Sequence, residues 1–425
     1  MATVPLSSGS PSSTTSAEAL VVAQDLTREG RPNDQLLDGL RAPVAAVGDL
    51  AATAWTAGVE VAAQFADDVD RNSRFPFEAV AELKRQRILS ALVPEALGGD
   101  GAGVADVAGA VRALAAHCAS TALVLAMHSI EVSNLVRHGN TNAFHDLLRE
   151  VSSEQLLLAN ANSEVGIGGD VGRSLCALEE HGPGLLLQKE ALAISYGEYA
   201  DAIVATARRS VDAEQTDQVQ VVCRKSALTL EPTSTWDAMG LRGTCSRGFR
   251  LVAEVDPGLV YPIPFATIAS TGGLQAGMIL LSAVWVGLAE AAAAKAHTVV
   301  RAAARKQLDT LPPSALRLAE LAADLQQARS LLAGGVARYS ALEGSDEIED
   351  PAFIADLRAL KVSTSELAVR IATAALSICG IAGYRRDTPI SLDRHIRDAH
   401  GGLVMVSNER YLQANAQLLV ARKRL

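Results

Sequence analysis

The chain is 425 residues long, 49% hydrophobic but only 4% aromatic, with a formal net charge of −10. That length is enough for two or three domains around an aliphatic, Ala/Leu/Val-rich core of the kind helical bundles use. With an acidic balance and no basic stripe, nucleic acid and an anionic membrane surface are excluded as partners. Residues 1 to 44 are rich in Ser, Thr, Ala, Pro and Gly and carry the run SSGSPSSTTS. This composition cannot bury enough apolar area to fold alone, so a disordered tail is expected, with one short helix around Asp34 to Leu40.

A helical domain is expected over 45–153. Phe75-Pro76-Phe77-Glu78 opens a helix with Pro76 suited to its first turn, and Leu83, Ile88 and Leu92 supply apolar positions. Pro94 to Gly101 is a Gly-rich turn. Val104 to Met127 is apolar almost all round and reads as one long buried helix, with His117 and His128 as core histidines. Over 154–262 the period changes. LLLANA, SLCALEE, GLLLQKEALAISY, AIVATARR, QVVCRK, ALTLEP and GFRLVAEV alternate with turns, as strands of a β domain do. From 263 to 425 helices return. Leu274, Met278, Leu281, Trp285 and Leu288 share one helix face, and Leu318, Leu321, Leu325 and Leu332 mark a second helix. Asp350-Pro351 caps a third that ends near Leu376, and a fourth runs to Arg422-Lys423-Arg424. Four such helices make a bundle.

Five cysteines (Cys118, Cys176, Cys223, Cys245 and Cys379) show no metal spacing and read as buried thiols of a reducing cytosol. No run reads as a membrane span and no secretory signal is visible, so a cytoplasmic protein is expected.

Three stretches carry chemistry. Ser377 to Ala399 breaks a helix at Gly380 and Gly383, where free backbone N–H groups suit a phosphate, although a plain helix–loop–helix connection has the same look. Ser163 to Asp170 packs three glycines and a hydroxyl into one turn. Trp236 to Ser246 reads WDAMGLRGTCS.

Taken in order, FP-E…VPEALGGDGAG, SEVGIGGD, AIS at 193–195, WDAMGLRGTCS and GxxGY…RDA resemble the acyl-CoA dehydrogenase superfamily over residues 45 to 425. The resemblance implies an α+β, mainly α fold: an N-terminal helical domain, a middle β-barrel domain and a C-terminal four-helix bundle. It implies FAD, with FMN open, held through Ser163, Ser195, Thr244, Arg305, Gly380 and Gly383, and a thioester beside Gly169, Asp170 and Arg242. It further implies acyl-CoA or an acyl carrier protein as partner, and a homodimer or homotetramer in which a neighbouring subunit completes the site. Several of the family's groups are replaced. Ala193 stands for the stacking Trp, and Ser377 for a Gln. The usual carboxylate base falls on Val406, and its alternative position on Gln275 or Gly277. Such a base removes the Cα proton, and burial tunes its pKa for that task. Glu409, about one turn on, is the remaining carboxylate candidate.

Three functions follow as alternatives. The first is a dehydrogenase-like flavoenzyme acting on an acyl thioester. The second is a two-component monooxygenase of the same fold, fed by a flavin reductase. Leu392-Asp393-Arg394-His395-Ile396-Arg397-Asp398 resembles that group's L-D-R-H-W-R-N, with His395 as the candidate polar group; the group's later His falls on Gly402, and His400 lies two residues early. The third is a flavin-free thioester-binding or non-redox protein. No metal site is expected.

Overall fold

The computed structural model describes residues 49–306 and 310–421. The tail, the helix expected at 34–40, positions 307–309 and the basic end 422–424 lie outside the described residues.

The N-terminal helices are α1 (Asp49–Ala57), α2 (Ala63–Asn72), α3 (Phe77–Arg85), α4 (Val104–Ala115), α5 (Ala119–His138) and α6 (Asn142–Glu154). Pro76 precedes α3, as its fixed φ and missing N–H favour. The long helix expected over Val104 to Met127 is instead two helices. Cys118 is extended (φ −148, ψ 106) and caps α5. The break is set by tertiary contacts that an Ala-rich sequence does not announce: the His117 ring meets Trp55 edge-on at 4.5 Å, and the His117 carbonyl accepts from Arg394. His128 is fully buried, donating from Nε2 to the Leu89 carbonyl and accepting the Leu158 N–H at Nδ1. Burial lowers its pKa to about 4, which keeps it a neutral tie.

Each of the seven expected apolar runs contains a strand: β1 (Leu158–Ala161), β2 (Leu178–His181), β3 (Gly184–Ile194), β4 (Ala202–Arg208), β5 (Gln218–Arg224), β6 (Leu228–Pro232) and β7 (Arg247–Val255). They form two sheets, ordered β1-β4-β5 and β2-β3-β7-β6. A bridge between Ala177, just before β2, and Arg208 links them. The barrel is therefore two joined sheets. β1 pairs parallel with β4 across the intervening β2–β3 hairpin, and the other neighbours are antiparallel.

After a short helical turn α7 (Phe265–Ile268) comes the bundle of α8 (Leu274–Lys306), α9 (Ala315–Leu342), α10 (Pro351–Tyr384), α11 (Asp393–Val404) and α12 (Asn408–Ala421). The third bundle helix outlasts Leu376. Only Gly380 leaves helical geometry (φ 58, ψ −140), and Gly383 is helical again. The expected fourth helix is α11 plus α12, split at Met405–Ser407, where Val406 has φ 46. Glu290 of α8 takes both Arg112 of α4 and Arg329 of α9, tying the N-terminal domain to the bundle.

One expectation is corrected outright. Three helices, Ala119–His138, Phe265–Lys306 and Pro351–Tyr384, are long and apolar enough to cross a membrane by length and composition. Their apolar windows are 83%, 94% and 44% buried within the fold. The first two serve as all-round-buried core helices.

Candidate flavin-side site at the domain junction

β3 ends at Ile194 and turns through Tyr196, which takes a left-handed φ of 44. Tyr196 is locked there: its N–H donates to the Thr244 carbonyl (2.7 Å) and its hydroxyl to the Leu158 carbonyl (3.0 Å). That lock lays the end of β3 beside the turn Arg242–Thr244. The result is a chain of hydroxyls. Ser195 Oγ lies 2.8 Å from Ser246 Oγ, Ser246 lies 2.8 Å from Thr244 Oγ1, and Thr244 donates to the Leu241 carbonyl at 2.9 Å. Ser246 sits in the WDAMGLRGTCS stretch but was not singled out. The chain leaves Arg242–Thr244 through Cys245, whose left-handed φ of 47 brings Ser246 back to Thr244 before β7 begins, and no local sequence signal announces that turn.

Ser163 joins the same edge. Its hydroxyl donates to the Ala193 carbonyl (3.0 Å) and accepts the Ala193 N–H (3.2 Å). The loop that follows is anchored by buried Glu164, which receives Lys189 (3.2 Å), the Ser174 hydroxyl (2.8 Å) and the Cys176 N–H (2.7 Å). Burial alone would raise the Glu164 pKa, but Lys189 and these donors bring it below the ordinary value. Glu164 is thus a fixed anion holding the loop, and it is not a free base. Gly169 (φ 75) lies under Arg410, so close that a Cβ would stand 2.2 Å from Nη2. Arg410 donates to the Gly168 carbonyl (2.6 Å), a strap from α12 across to the β domain. Asp170 is exposed and accepts the Gly172 N–H.

The RDA segment is a three-domain latch. Asp398 accepts the Leu241 N–H (2.6 Å). Arg397 reaches Asp70 of α2 (2.9 Å), the Met239 carbonyl (2.9 Å) and Asp393. The Arg397 carbonyl would lie 2.2 Å from a Cβ on Gly240, so only glycine lets α11 dock this closely. Arg242 belongs to the same joint, donating to the Asp70 and Ala238 carbonyls and pairing with Asp237.

No carboxylate occupies the family's base positions. Val406 is half exposed in its left-handed turn. Beneath it, buried Lys361 meets four acceptors: the Gly402 (2.9 Å), Met405 (2.7 Å) and Val406 (2.9 Å) carbonyls and Asn408 Oδ1 (2.7 Å). Gln275 is buried, donating to the Ser270 and Ile348 carbonyls. Gly277 faces Ile130. Glu409 is exposed in the first turn of α12. His395 is 5% exposed, and its Nδ1 has no hydrogen-bond partner among the described residues. Burial, with Lys295 and Arg394 nearby, holds its pKa well below the ordinary value. It faces those two cations and has no bond to the serine chain. His400 bonds the Ile396 carbonyl in its own helix.

Ser163, Ser195 and Thr244 come together; Arg305, Gly380 and Gly383 do not join them within one chain. Leu241 touches Gly401, and Gly402 packs on Trp285 of α8 and Ser365 of α10. Arg305 stands about 30 Å beyond Trp285 along α8, and Gly380 about 22 Å beyond Ser365 along α10, at 1.5 Å per residue.

A further buried acid went unnoticed in the sequence. Glu131 on α5 accepts from Asn160 (3.1 Å) with one oxygen, and its other oxygen is unpartnered among the described residues. Burial raises its pKa to about 7, against weaker lowering by Asn160 and Asn134. Its folded pKa is above its unfolded value of 4.5, so stability falls as pH rises through that window. Glu131→Gln is expected to unfold at a higher temperature at pH 8 and to show a shallower decline between pH 5 and 8. Asp398, raised by burial to about 6, retains part of the slope. Thermal unfolding at the two pH values checks this.

The model for the acyl-CoA dehydrogenase N-terminal domain matches residues 50–180, and that for the acyl-CoA dehydrogenase C-terminal domain matches residues 279–405. The cyclohex-1-ene-1-carbonyl-CoA dehydrogenase of Geobacter metallireducens is 26% identical over 340 residues, covering 78% of this chain and 86% of its own. In fold, the chain is similar to butyryl-CoA dehydrogenase from Megasphaera elsdenii (TM-score 0.75, 23% identity, 88% and 97% of the two chains). It is also similar to the dibenzothiophene monooxygenase TdsC from Paenibacillus sp. A11-2 (TM-score 0.76, 17% identity, 88% and 97%).

Proposed function

This chain belongs to the acyl-CoA dehydrogenase superfamily, and on that premise we propose that it is a flavin-dependent oxidoreductase acting on an acyl thioester of coenzyme A or of a carrier protein. The observation that carries the reading is the Ser195–Ser246–Thr244 hydroxyl chain at the domain junction. Ser195 is partly exposed, and a hydroxyl donates or accepts by rotation, so it can turn its hydrogen from Ser246 to a flavin ring atom while Ser246 still donates to Thr244 and Thr244 to the Leu241 carbonyl. Those residues fit a flavin. Ala193 leaves room where a stacking ring would stand, so binding relies on hydrogen bonds. FAD is the favoured form. A bound flavin would supply two-electron redox chemistry, and Ser195, Ser246 and Thr244 would hold and orient it. Arg305 and Gly380 lie too far along their helices to serve the same chain's hydroxyls, which favours a homo-oligomer in which a second subunit supplies them.

A second reading has its own support. Val406, Gln275 and Gly277 offer no carboxylate, so abstraction of a Cα proton has no base at those positions. Oxygen-dependent hydroxylation with flavin reduced by a separate enzyme needs none, and dibenzothiophene monooxygenase shares the fold. Anaerobic titration of the flavin-loaded protein with short- and medium-chain acyl-CoAs separates the two. Bleaching is expected for the thioester reading. Absence of bleaching, with oxygen uptake and a hydroxylated product from reduced flavin, transfers the assignment to the second. Ser195→Ala is expected to weaken flavin binding roughly three- to tenfold, the worth of one hydrogen bond, read by fluorescence titration.

A further inference from the structure

Behind the hydroxyl chain, on the opposite side of the same backbone, lies a cleft of about 320 Å³. It is lined by Arg71, Tyr199, Trp236, Arg242, Cys245 and Arg247, and so it sits between the end of α2 and the WDAMGLRGTCS turn. Its size is at the small end of the range of about 300–1,000 Å³ usual for small-molecule sites. The donors in it outnumber their acceptors. Arg71 is exposed and uses only Nε, on the Asp67 carbonyl; its two terminal nitrogens have no acceptor among the described residues. The Tyr199 hydroxyl makes no hydrogen bond among them, and its ring is held by stacking on Phe75 at 4.5 Å. Arg247 holds Glu198 only through Nη1, at 3.2 and 3.3 Å, and Nη2 is unused. Arg242 likewise spends Nε and Nη1 and leaves Nη2. Asp237 lines the cleft, Glu198 pairs with Arg247 from beside it, and Asp68, already bonded to Asn72 and Arg74, acts on Arg71 only through space, so the three guanidiniums bond two carboxylates between them. Trp236, half-buried, adds a flat apolar wall.

We propose that this cleft is a second binding site, separate from the flavin side, for a small organic phosphate bearing a planar ring, of the nucleoside monophosphate class. Arginine forks match phosphate oxygens in pairs, and an aromatic wall takes the face of a base. Cys245 and Arg247 point into the cleft while Thr244 and Ser246 point away. Occupancy therefore bears on the turn that positions the hydroxyl chain without touching the flavin side itself.

Isothermal titration with AMP, adenosine and inorganic phosphate tests it on the full chain, with and without bound flavin. AMP is expected to bind at least tenfold more tightly than adenosine or phosphate, with or without flavin, and more weakly as salt rises. Arg71→Ala and Tyr199→Phe are expected to weaken AMP at least tenfold and threefold respectively. Both leave the fold intact, since Arg71 is exposed and Phe keeps the stacking. Ser195→Ala leaves AMP binding unchanged, so a failure of the flavin assignment does not touch this one. Equal binding of AMP and adenosine, equal binding of AMP and phosphate, competition between AMP and flavin, or an unaffected Arg71→Ala each overturns it.

Discussion

Arg397→Ala is expected to lower stability by about 3–5 kcal/mol, the usual cost of stripping one partner from a buried charge pair. The side chain of Asp70 is only 10% exposed and takes two nitrogens of Arg397. Without them a carboxylate is left at the junction of α2, the β domain and α11. Asp393 is the lesser loss, because it is more exposed and is also paired with Arg386. The damage is expected to be specific: hydrogen exchange accelerates at Met239–Thr244 and at the end of α2, while the α8–α10 core stays protected. Flavin affinity falls with it, because Thr244 loses its fixed place. Gly240→Ala is expected to give the same pattern from the opposite side, since its Cβ would run into the Arg397 carbonyl. Denaturant unfolding with exchange mapping checks both. Uniform loss of protection would contradict the latch.

Lys361→Met is the second large effect, about 2–4 kcal/mol. Two forces oppose each other. Burial brings the Lys361 pKa down to about 8, so an apolar replacement relieves a desolvation cost. Against that, three carbonyls lose a donor and the Asn408 amide oxygen keeps only the Ser365 hydroxyl at 3.4 Å, at about 1–3 kcal/mol for an unsatisfied buried group. The carbonyls also cluster at the C-terminus of α11, where a cation is favoured. The second force wins because several acceptors lose a donor at once while only one desolvated ammonium is relieved, and Val406, freed from its strained left-handed φ of 46, marks where the turn opens first. The first sign is expected in the 402–412 segment, as faster hydrogen exchange and early proteolysis there, with Arg410 released from Gly168. Lys361→Met with unchanged exchange in that segment would contradict the role.

What the sequence disclosed, and what it hid, follows from how far apart the interacting residues lie. The strands were legible because each alternates or runs apolar between turns, a signal complete within ten residues. The α3 start was legible because Pro76 fixes φ locally. The break at Cys118 was not, since it is stabilised by Trp55 and Arg394, distant in the chain, within an unbroken apolar run. The split between α11 and α12 was hidden for the same reason: its support is a lysine 45 residues upstream of Val406. At the site, the Ser163, Ser195 and Thr244 hydroxyls were legible through resemblance. Ser246, which joins two of them, lay inside a stretch already quoted, but it is brought to Thr244 by the left-handed Cys245, a backbone turn the sequence does not disclose. Arg242 read as a substrate residue because the motif carries it; its bonds are to Asp70, Asp237 and Ala238, and its remaining face is turned to the second cleft. The RDA segment read only as part of the resemblance, and its latch was hidden because Asp70, Met239 and Leu241 lie far away in the chain.

The most direct test of the central claim is the visible absorption spectrum of the purified protein after incubation with excess FAD or FMN and removal of free flavin. Bound flavin at about one per chain, reduced in Ser195→Ala, is the result predicted by a hydroxyl chain that still serves a flavin. A folded wild-type protein that stays colourless with both would contradict it.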